Sequence, residues 1–239
     1  MKSQHSKTLL PAKIDQPATS ASKPKQIFIV EDHPVFRGGL AQIVDGESDL
    51  KVCGMAGSAE RALPAIAHLR PDLVLVDITL PGKNGIELIR QIRKTDRKVK
   101  FLVISMHEEA LYADRVLRAG GDGYIMKEED PGEIIDAMRD VLAGRIYLSE
   151  AVMASRSKAP AESRAGGGGS RPLNQLTDKE LEILELLGRQ LSQQEMAGKL
   201  GLSLKTLTEH CATMRNKLKL RSREALVRAA MAWSKSPNS

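Results

Sequence analysis

The segment LVLVDITLPG, residues 73–82, runs four aliphatic residues directly into an acid and then into a Pro-Gly turn. A continuous aliphatic run is typical of a strand that is buried on both faces, as in parallel sheets. An isolated ionised carboxylate is costly to bury, so Asp77 needs water or a cation beside it. The segment therefore predicts a buried parallel strand with an acid at its carboxyl end.

Apolar runs alternate with amphipathic segments on both sides of this stretch. The predicted strands cover residues 26–31, 50–57, 72–77, 99–105 and 123–127. The predicted helices lie near residues 35–45, 59–70, 84–95, 108–119 and 131–143. Helices between buried strands imply parallel crossovers, so the pattern predicts a doubly wound α/β domain with a five-stranded parallel sheet of order 2-1-3-4-5.

The region after residue 172 contains no strand-like segment. Capping signals predict four helices there, at Thr177 with Glu180, Ser192 with Glu195, Ser203, and Ser222. Two short helices joined at Gly201 fit a helix-turn-helix. The sequence thus predicts a small all-α domain, for which a helical bundle without a ligand is the alternative.

Composition places the domain boundaries. We predict a disordered tail (1–25), the α/β domain (26–148), a flexible linker with four consecutive glycines (149–172), the helical domain (173–233) and a second disordered tail (234–239). The two cysteines lack metal-ligand spacing, and no apolar run is long enough to span a membrane. These features predict a cytoplasmic protein that does not bind membranes.

Charge is divided unequally between the two domains. Residues 26–150 carry 16 Lys and Arg against 21 Asp and Glu, whereas residues 171–239 carry 12 against 7. The basic domain is therefore a candidate for binding a phosphate-rich polymer.

Polar residues follow the predicted strands at their carboxyl ends: Glu31, Asp32, Asp77, Ser105 and Lys127. Open parallel sheets build their sites at this edge, and the first and third strands are neighbours in the predicted order. Three converging carboxylates need a cation, and oxygen ligands without a nearby histidine or cysteine favour Mg²⁺. With one oxygen exposed, Asp77 can attack a phosphoryl group while the metal and Lys127 neutralise the transferred oxygens.

The motifs EDHP, VDITLPG, VISMHEE and GYIMK, in this order, resemble the receiver domain of two-component response regulators over about residues 26–145. The resemblance implies that Asp77 accepts a phosphoryl group from a sensor histidine kinase. It further implies roles for six residues: the metal ligands Glu31, Asp32 and Thr79 (through its backbone carbonyl), the hydroxyl of Ser105 and the lysine Lys127 that bind the phosphoryl group, and Tyr124, which rotates inward. Many relatives carry Asp where this chain has Glu31. Thr79 and His107 occupy positions that tune phosphate lifetime in the family.

The segment GLSLKTLTEHCATMRNKLKL (201–220) predicts the helix that enters a major groove. Its inward stripe comprises Leu207, Cys211, Met214 and Leu218. Its outward face carries Lys205, Thr208, Glu209, Ala212, Thr213 and Asn216. Five cations without an intervening acid follow, and such a cluster can track a phosphate backbone: Arg215, Lys217, Lys219, Arg221 and Arg223.

The motifs LTDKELEILELL, LSQQEMAGKLGLSLKTLTEH and LRSREAL resemble the LuxR-type DNA-binding domain over about residues 173–232. Together the two resemblances point to the NarL/FixJ family. They imply a transcription regulator that binds double-stranded promoter DNA, forms a homodimer when phosphorylated and catalyses only its own phosphorylation and dephosphorylation. Thr208, Ala212 and Glu209 depart from the outward face of relatives, so we expect a different DNA site.

Two alternatives remain open from the sequence. The first is a DNA-binding regulator whose α/β domain is a dimerisation module indifferent to phosphate. The second is a phosphatase or phosphotransferase that uses an aspartyl phosphate, because DIT resembles the start of a haloacid dehalogenase motif. That motif needs a second acid at the position of Thr79.

Overall fold

The computed structural model describes residues 23–158 and 172–234. The glycine run of the predicted linker and nearly all of both predicted tails lie outside these residues. Among the helices that the structure describes, none has both the length and the apolar character needed to cross a membrane.

A five-stranded parallel sheet forms the centre of the α/β domain, and its order β2-β1-β3-β4-β5 confirms the prediction. The strands are β1 (Lys25–Val30), β2 (Leu50–Ala56), β3 (Leu73–Val76), β4 (Lys100–Ser105) and β5 (Gly123–Met126). The crossover helices are α1 (Pro34–Asp45), α2 (Ala59–Leu69), α3 (Gly85–Arg93) and α4 (Glu109–Ala119), and α5 (Pro131–Leu142) follows the last strand.

Alternating residues of the central strands divide the core into two layers. Phe28, Val74 and Phe101 face one side of the sheet, where they pack with apolar residues of α2, α3 and α4. On the other side, Ile29 and Leu75 pack with residues of α1 and α5. Both faces are covered, which is why these strands read as continuous aliphatic runs in the sequence.

The helical domain contains α7 (Asp178–Gly188), α8 (Gln193–Leu200), α9 (Leu204–Lys217) and α10 (Arg223–Ser234), preceded by a 3-10 turn (Pro172–Gln175). The predicted capping boxes at Thr177 and Ser192 are both present, and Ser203 caps α9. The apolar core of this domain is continuous with the core layer beneath α2, α3 and α4. The two domains are therefore packed together.

One part of the linker prediction is wrong. Residues Glu150–Lys158 form a helix, α6, in the segment that we predicted to be flexible. The sequence EAVMASRSK consists largely of residues with high helix propensity, and Arg156 forms an ion pair with Asp114 of α4. Glu109 of α4 also accepts a hydrogen bond from the backbone N–H of Ser149, at 2.8 Å.

Gly85 begins α3 directly beneath the end of β3. A Cβ atom at this position would lie 2.1 Å from the carbonyl oxygen of Asp77, a distance at which the backbone must move. The glycine therefore fixes how closely α3 approaches the acid at the strand end.

We expect Gly85→Ala to lower the free energy of unfolding by more than about 2 kcal/mol, because overpacking forces backbone shifts. Gly38→Ala is the matched control: it lies inside α1, and no atom lies within 4 Å of its added Cβ. Alanine there should be neutral or stabilise the helix by up to about 1 kcal/mol. Urea unfolding of both variants measures the difference, and equal effects would contradict the close-packing argument.

Candidate functional site

The carboxyl edge of the sheet brings the predicted site residues together. Four of the five strands contribute to the site, and they end at Val30 (β1), Val76 (β3), Ser105 (β4) and Met126 (β5). The side chains at or just after these ends are Glu31, Asp32, Asp77, Ser105 and Lys127. Glu31, Asp77 and Ser105 are buried, and the site therefore extends below the rim of the sheet.

Lys127 is the cation that joins the acids. Its Nζ atom lies 2.6 Å from Oε2 of Glu31 and 2.8 Å from Oδ2 of Asp77. The ammonium also lies 4.8 Å from the centroid of the Phe36 ring, a favourable cation–π distance. Burial alone lowers the pKa of Lys127, but the charges of Asp77 and Glu31 outweigh it and leave the pKa raised. The lysine is therefore charged and reduces the repulsion between the two acids.

Asp77 is more deeply buried than the sequence suggested. Only 3% of the residue is exposed, and the accessibility of one oxygen to a phosphoryl donor stays a prediction. Burial raises the pKa of Asp77 to about 6; the charge of Lys127 opposes the rise and that of Glu31 adds to it. Lys127 binds one carboxylate oxygen and shields it from water.

The acidic cluster fits a hard divalent cation. Oδ1 of Asp32 is buried and accepts no hydrogen bond, although His33 lies close to it, and the buried Oε2 of Glu31 has the Lys127 ammonium as its partner. Such oxygens suit Mg²⁺, which prefers carboxylate ligands. Nδ1 of His33 lies 2.9 Å from Oδ1 of Asp32 and 3.2 Å from Oε1 of Glu31. A potential nitrogen ligand thus joins the cluster, which the expectation of an all-oxygen surrounding missed.

His107 connects the remaining pocket residues. Its backbone N–H donates to Ser105 Oγ at 3.3 Å, and its backbone carbonyl accepts the hydroxyl of Tyr124 at 2.7 Å. Its Nε2 atom shares a hydrogen bond with Oγ1 of Thr79 at 2.7 Å. Tyr124 is fully buried, so its ring already points inward in this structure. The predicted rotation of Tyr124 remains a prediction.

The second candidate surface lies on α9. Leu207, Cys211 and Met214 are buried, whereas Ala212 is half-buried and the rest of the predicted outward face is exposed. Leu204, which we did not single out in the sequence, begins this helix and is 48% exposed. Residues at the N-terminus of a recognition helix contact base edges, and a leucine there can touch a thymine methyl group.

The cation run continues beyond α9 into the first turn of α10. Lys219, Arg221 and Arg223 are exposed, whereas Arg215 and Lys217 are half-buried. Nζ of Lys217 lies 2.6 Å from Oε2 of Glu180, so this lysine already has an acidic partner. The three exposed cations are therefore better placed to contact phosphates than Lys217.

Three acids of α7 bind the α/β domain and form what we call the acidic stripe: Asp178, Glu182 and Glu185. Asp178 accepts hydrogen bonds from Arg90 of α3 at 2.8 Å and from Arg115 of α4 at 3.0 Å. Glu182 accepts one from Nδ2 of Asn84 at 3.0 Å, and Glu185 is bound to Nδ1 of His107. Burial would lower the pKa of His107, but Glu185 outweighs it and leaves the pKa raised. The stripe joins the two domains next to the pocket.

Sequence reasoning missed the acidic stripe, although its signal was present. Its members recur at i, i+4 and i+7, the spacing of one helix face. Charged side chains on such a face are usually solvated. The partner of Glu185 lies 78 residues away in the sequence, and the partner of Glu182 lies 98 residues away. Helical periodicity identifies the face but not what covers it.

The raised pKa of Asp77 predicts a pH dependence of stability. The unfolded acid titrates near 3.8 and the folded one near 6, so the folded state holds the proton more tightly and stability falls as pH rises between these values. In EDTA, Asp77→Asn should remove this loss of stability at higher pH. The variant should therefore be more stable than the parent chain by about 3 kcal/mol at pH 7, and the difference should vanish below pH 4.

Denaturant unfolding across this pH range measures the effect. Asp136→Asn is the control, because the Asp136 side chain is 78% exposed. A stability difference for Asp77→Asn that does not change with pH would contradict the burial argument.

Comparisons with known proteins agree with this two-part architecture. The family model described as the response regulator receiver domain matches residues 27–139. A second model, described as bacterial regulatory proteins of the luxR family, matches residues 174–230. The two matches correspond to the α/β domain and the helical domain.

Similar proteins match either most of this chain or just over half of it. The nitrate/nitrite response regulator protein NarL of Escherichia coli is 32% identical over 206 residues, which cover 85% of this chain and 94% of that protein. A two-component response regulator of the LuxR family from Aurantimonas has a structure with a TM-score of 0.54 and 32% identity, over 57% of this chain and 97% of that one. RcsB from Salmonella enterica serovar Typhimurium, solved on the promoter rprA with BeF3⁻, has a TM-score of 0.58 and 23% identity over 87% of this chain and 99% of that one. The chain belongs to the NarL/FixJ family of DNA-binding two-component response regulators.

Proposed function

We propose that phosphoryl transfer from a sensor histidine kinase to Asp77 controls how the helical domain binds promoter DNA. The contact of Lys127 with both Glu31 and Asp77 carries the proposal, because it sets an acid and a phosphate-binding cation side by side at a sheet edge. Membership of a family of transcription regulators supports the assignment.

The transfer itself needs little covalent chemistry from the chain. A carboxylate oxygen of Asp77 forms a bond to phosphorus, and the bond from phosphorus to the kinase histidine breaks with its electron pair going to the leaving nitrogen. Lys127 then turns from the two acids to the phosphoryl oxygens, and the hydroxyl of Ser105 donates to another of them. Release of Lys127 from Glu31 is thus part of the step.

Glu31, Asp32 and Asp77 would hold Mg²⁺, with the backbone carbonyl of Thr79 as a further ligand. When bound, the ion supplies positive charge that offsets the acids and the transferred oxygens. The side chain of Thr79 is engaged with His107 and provides no acid, which argues against the phosphatase alternative.

Regulation requires two arrangements of the domains that phosphate favours unequally. In the docked arrangement, Gly201, which precedes α9, lies so close to the β3–α3 loop that its Cβ position is 3.6 Å from the backbone nitrogen of Gly82. The N-terminal end of a recognition helix must approach bases closely, so this loop obstructs a duplex. We propose that phosphorylation favours the undocked arrangement and a homodimer that grips paired half-sites.

Phosphorylation can be tested with acetyl phosphate and Mg²⁺. We expect the parent chain to incorporate phosphate, to shift toward a dimer and to bind its promoter more tightly. Asp77→Ala should lose all three responses, because no other side chain takes its place as nucleophile. Phosphate-affinity electrophoresis, light scattering and footprinting on genomic fragments provide the readouts.

Asp136→Ala is the control and should respond like the parent chain. If Asp77→Ala still regulates a target promoter in response to the donor, phosphorylation is not part of the control. If the parent chain is a dimer with and without donor, the α/β domain is a constitutive dimerisation module.

The exposed cations should contact the DNA backbone. Arg221→Ala is expected to weaken binding to all sequences alike and to reduce the salt slope of log K by about 1. Arg97→Ala, which removes another exposed arginine, in the α/β domain, should leave the slope unchanged. Lys217→Ala should change the slope less than Arg221→Ala does, because Glu180 holds this lysine. Equal slopes for Arg221→Ala and Arg97→Ala would remove Arg221 from the interface.

A further inference from the structure

His107 contacts both the pocket and the other domain. Its backbone is bonded to Ser105 and Tyr124, and its ring to Thr79 and Glu185. The residue therefore lies between the hydroxyl that would bind a phosphoryl group and the acidic stripe of α7.

Glu185 depends on this contact. Its side chain is 17% exposed, one oxygen is bound to His107, and the other is buried without a hydrogen-bond partner. A buried carboxylate that loses its partner is strongly destabilised. Any movement of His107 away from α7 therefore weakens docking.

Occupation of the pocket changes what holds His107. Ser105 Oγ accepts the backbone N–H of His107 in the docked arrangement. When Ser105 Oγ turns to a phosphoryl oxygen, that N–H loses its partner, and the Tyr124 hydroxyl is the contact named above that still holds the backbone of His107. A shift of this backbone would change the contact of the ring with Glu185.

The other members of the acidic stripe are bound differently. Asp178 is held by Arg90 and Arg115, and Glu182 by Asn84 and Lys179. None of these partners forms a hydrogen bond with Asp77, Ser105 or Thr79 within the described residues. These contacts stabilise docking without a hydrogen bond to His107 or to the pocket hydroxyls in the part of the chain that the structure describes.

We propose that Glu185 is the positioning residue through which the helical domain detects occupation of the Asp77 pocket, with His107 as the connecting side chain. The inference rests on the proposed function and adds to it the path of coupling. By linkage, docking must weaken phosphoryl-analogue binding by the same factor as the analogue weakens docking.

The test measures docking in the full chain by energy transfer between dyes at Lys94→Cys and Lys199→Cys, with the native cysteines replaced. BeF3⁻ with Mg²⁺ serves as the phosphoryl analogue. The parent chain should lose docking by about tenfold on adding it, within the usual range of coupling. Glu182→Ala, the matched control, should dock less tightly but lose docking by the same factor. In Glu185→Ala, docking should decrease by less than about twofold when BeF3⁻ is added. Glu185→Gln can still accept a hydrogen bond from His107 and should recover part of the response.

Each outcome has a separate meaning. If the parent chain does not respond to BeF3⁻ at all, the proposed function fails. If the parent chain responds and Glu185→Ala responds as strongly as Glu182→Ala, the proposed function stands and Glu185 is not the coupling residue. Glu185→Asp keeps the charge but withdraws the oxygens by one methylene. If Glu185→Ala shows no docked population, Glu185→Asp is measured in its place. A decrease in docking of Glu185→Asp equal to that of Glu182→Ala would again overturn the inference.

Discussion

The ammonium of Lys127, held between Glu31 and Asp77, is the interaction on which the rest of the site depends. Without it, two buried carboxylates at adjacent strand ends would repel each other where little water can screen them. The positive charge of the lysine reduces the repulsion between the two acids, yet burial still raises the pKa of Asp77 to about 6. The site is therefore electrostatically unsatisfied, and a divalent cation or a phosphoryl group can each take over one of the contacts that Lys127 makes.

The contact between the two domains lies next to this cluster. The helical domain docks on α3, α4 and the loop after β4 through a stripe of buried acids. The net charges of the two domains are opposite, but the local charges at this contact are reversed, because the acids come from the basic domain. Docking therefore depends on particular pairs rather than on overall attraction. One of these pairs involves His107, which also contacts Ser105 and Thr79 in the pocket.

Local sequence patterns predicted the sheet and its functional edge because both follow from periodicity. The run before Asp77 is aliphatic on both faces since helices cover both sides of the sheet, and parallel topology then places every strand end at one edge. The capping boxes at Thr177 and Ser192 predicted the helical domain in the same way. What failed depends on distant partners. The burial of Asp77, the position of His33 in the cluster and the helix α6 against α4 follow from tertiary contacts, and no spacing in the sequence pairs Glu185 with His107.

The most direct test of this account is a high-resolution structure of the full chain bound to Mg²⁺ and BeF3⁻. We expect Glu31, Asp32 and Asp77 to surround the metal, Lys127 to have left the two acids for a fluorine atom, and α7 to have separated from His107. A structure in which Lys127 still joins Glu31 to Asp77, with the ions bound elsewhere and the domains docked, would contradict it.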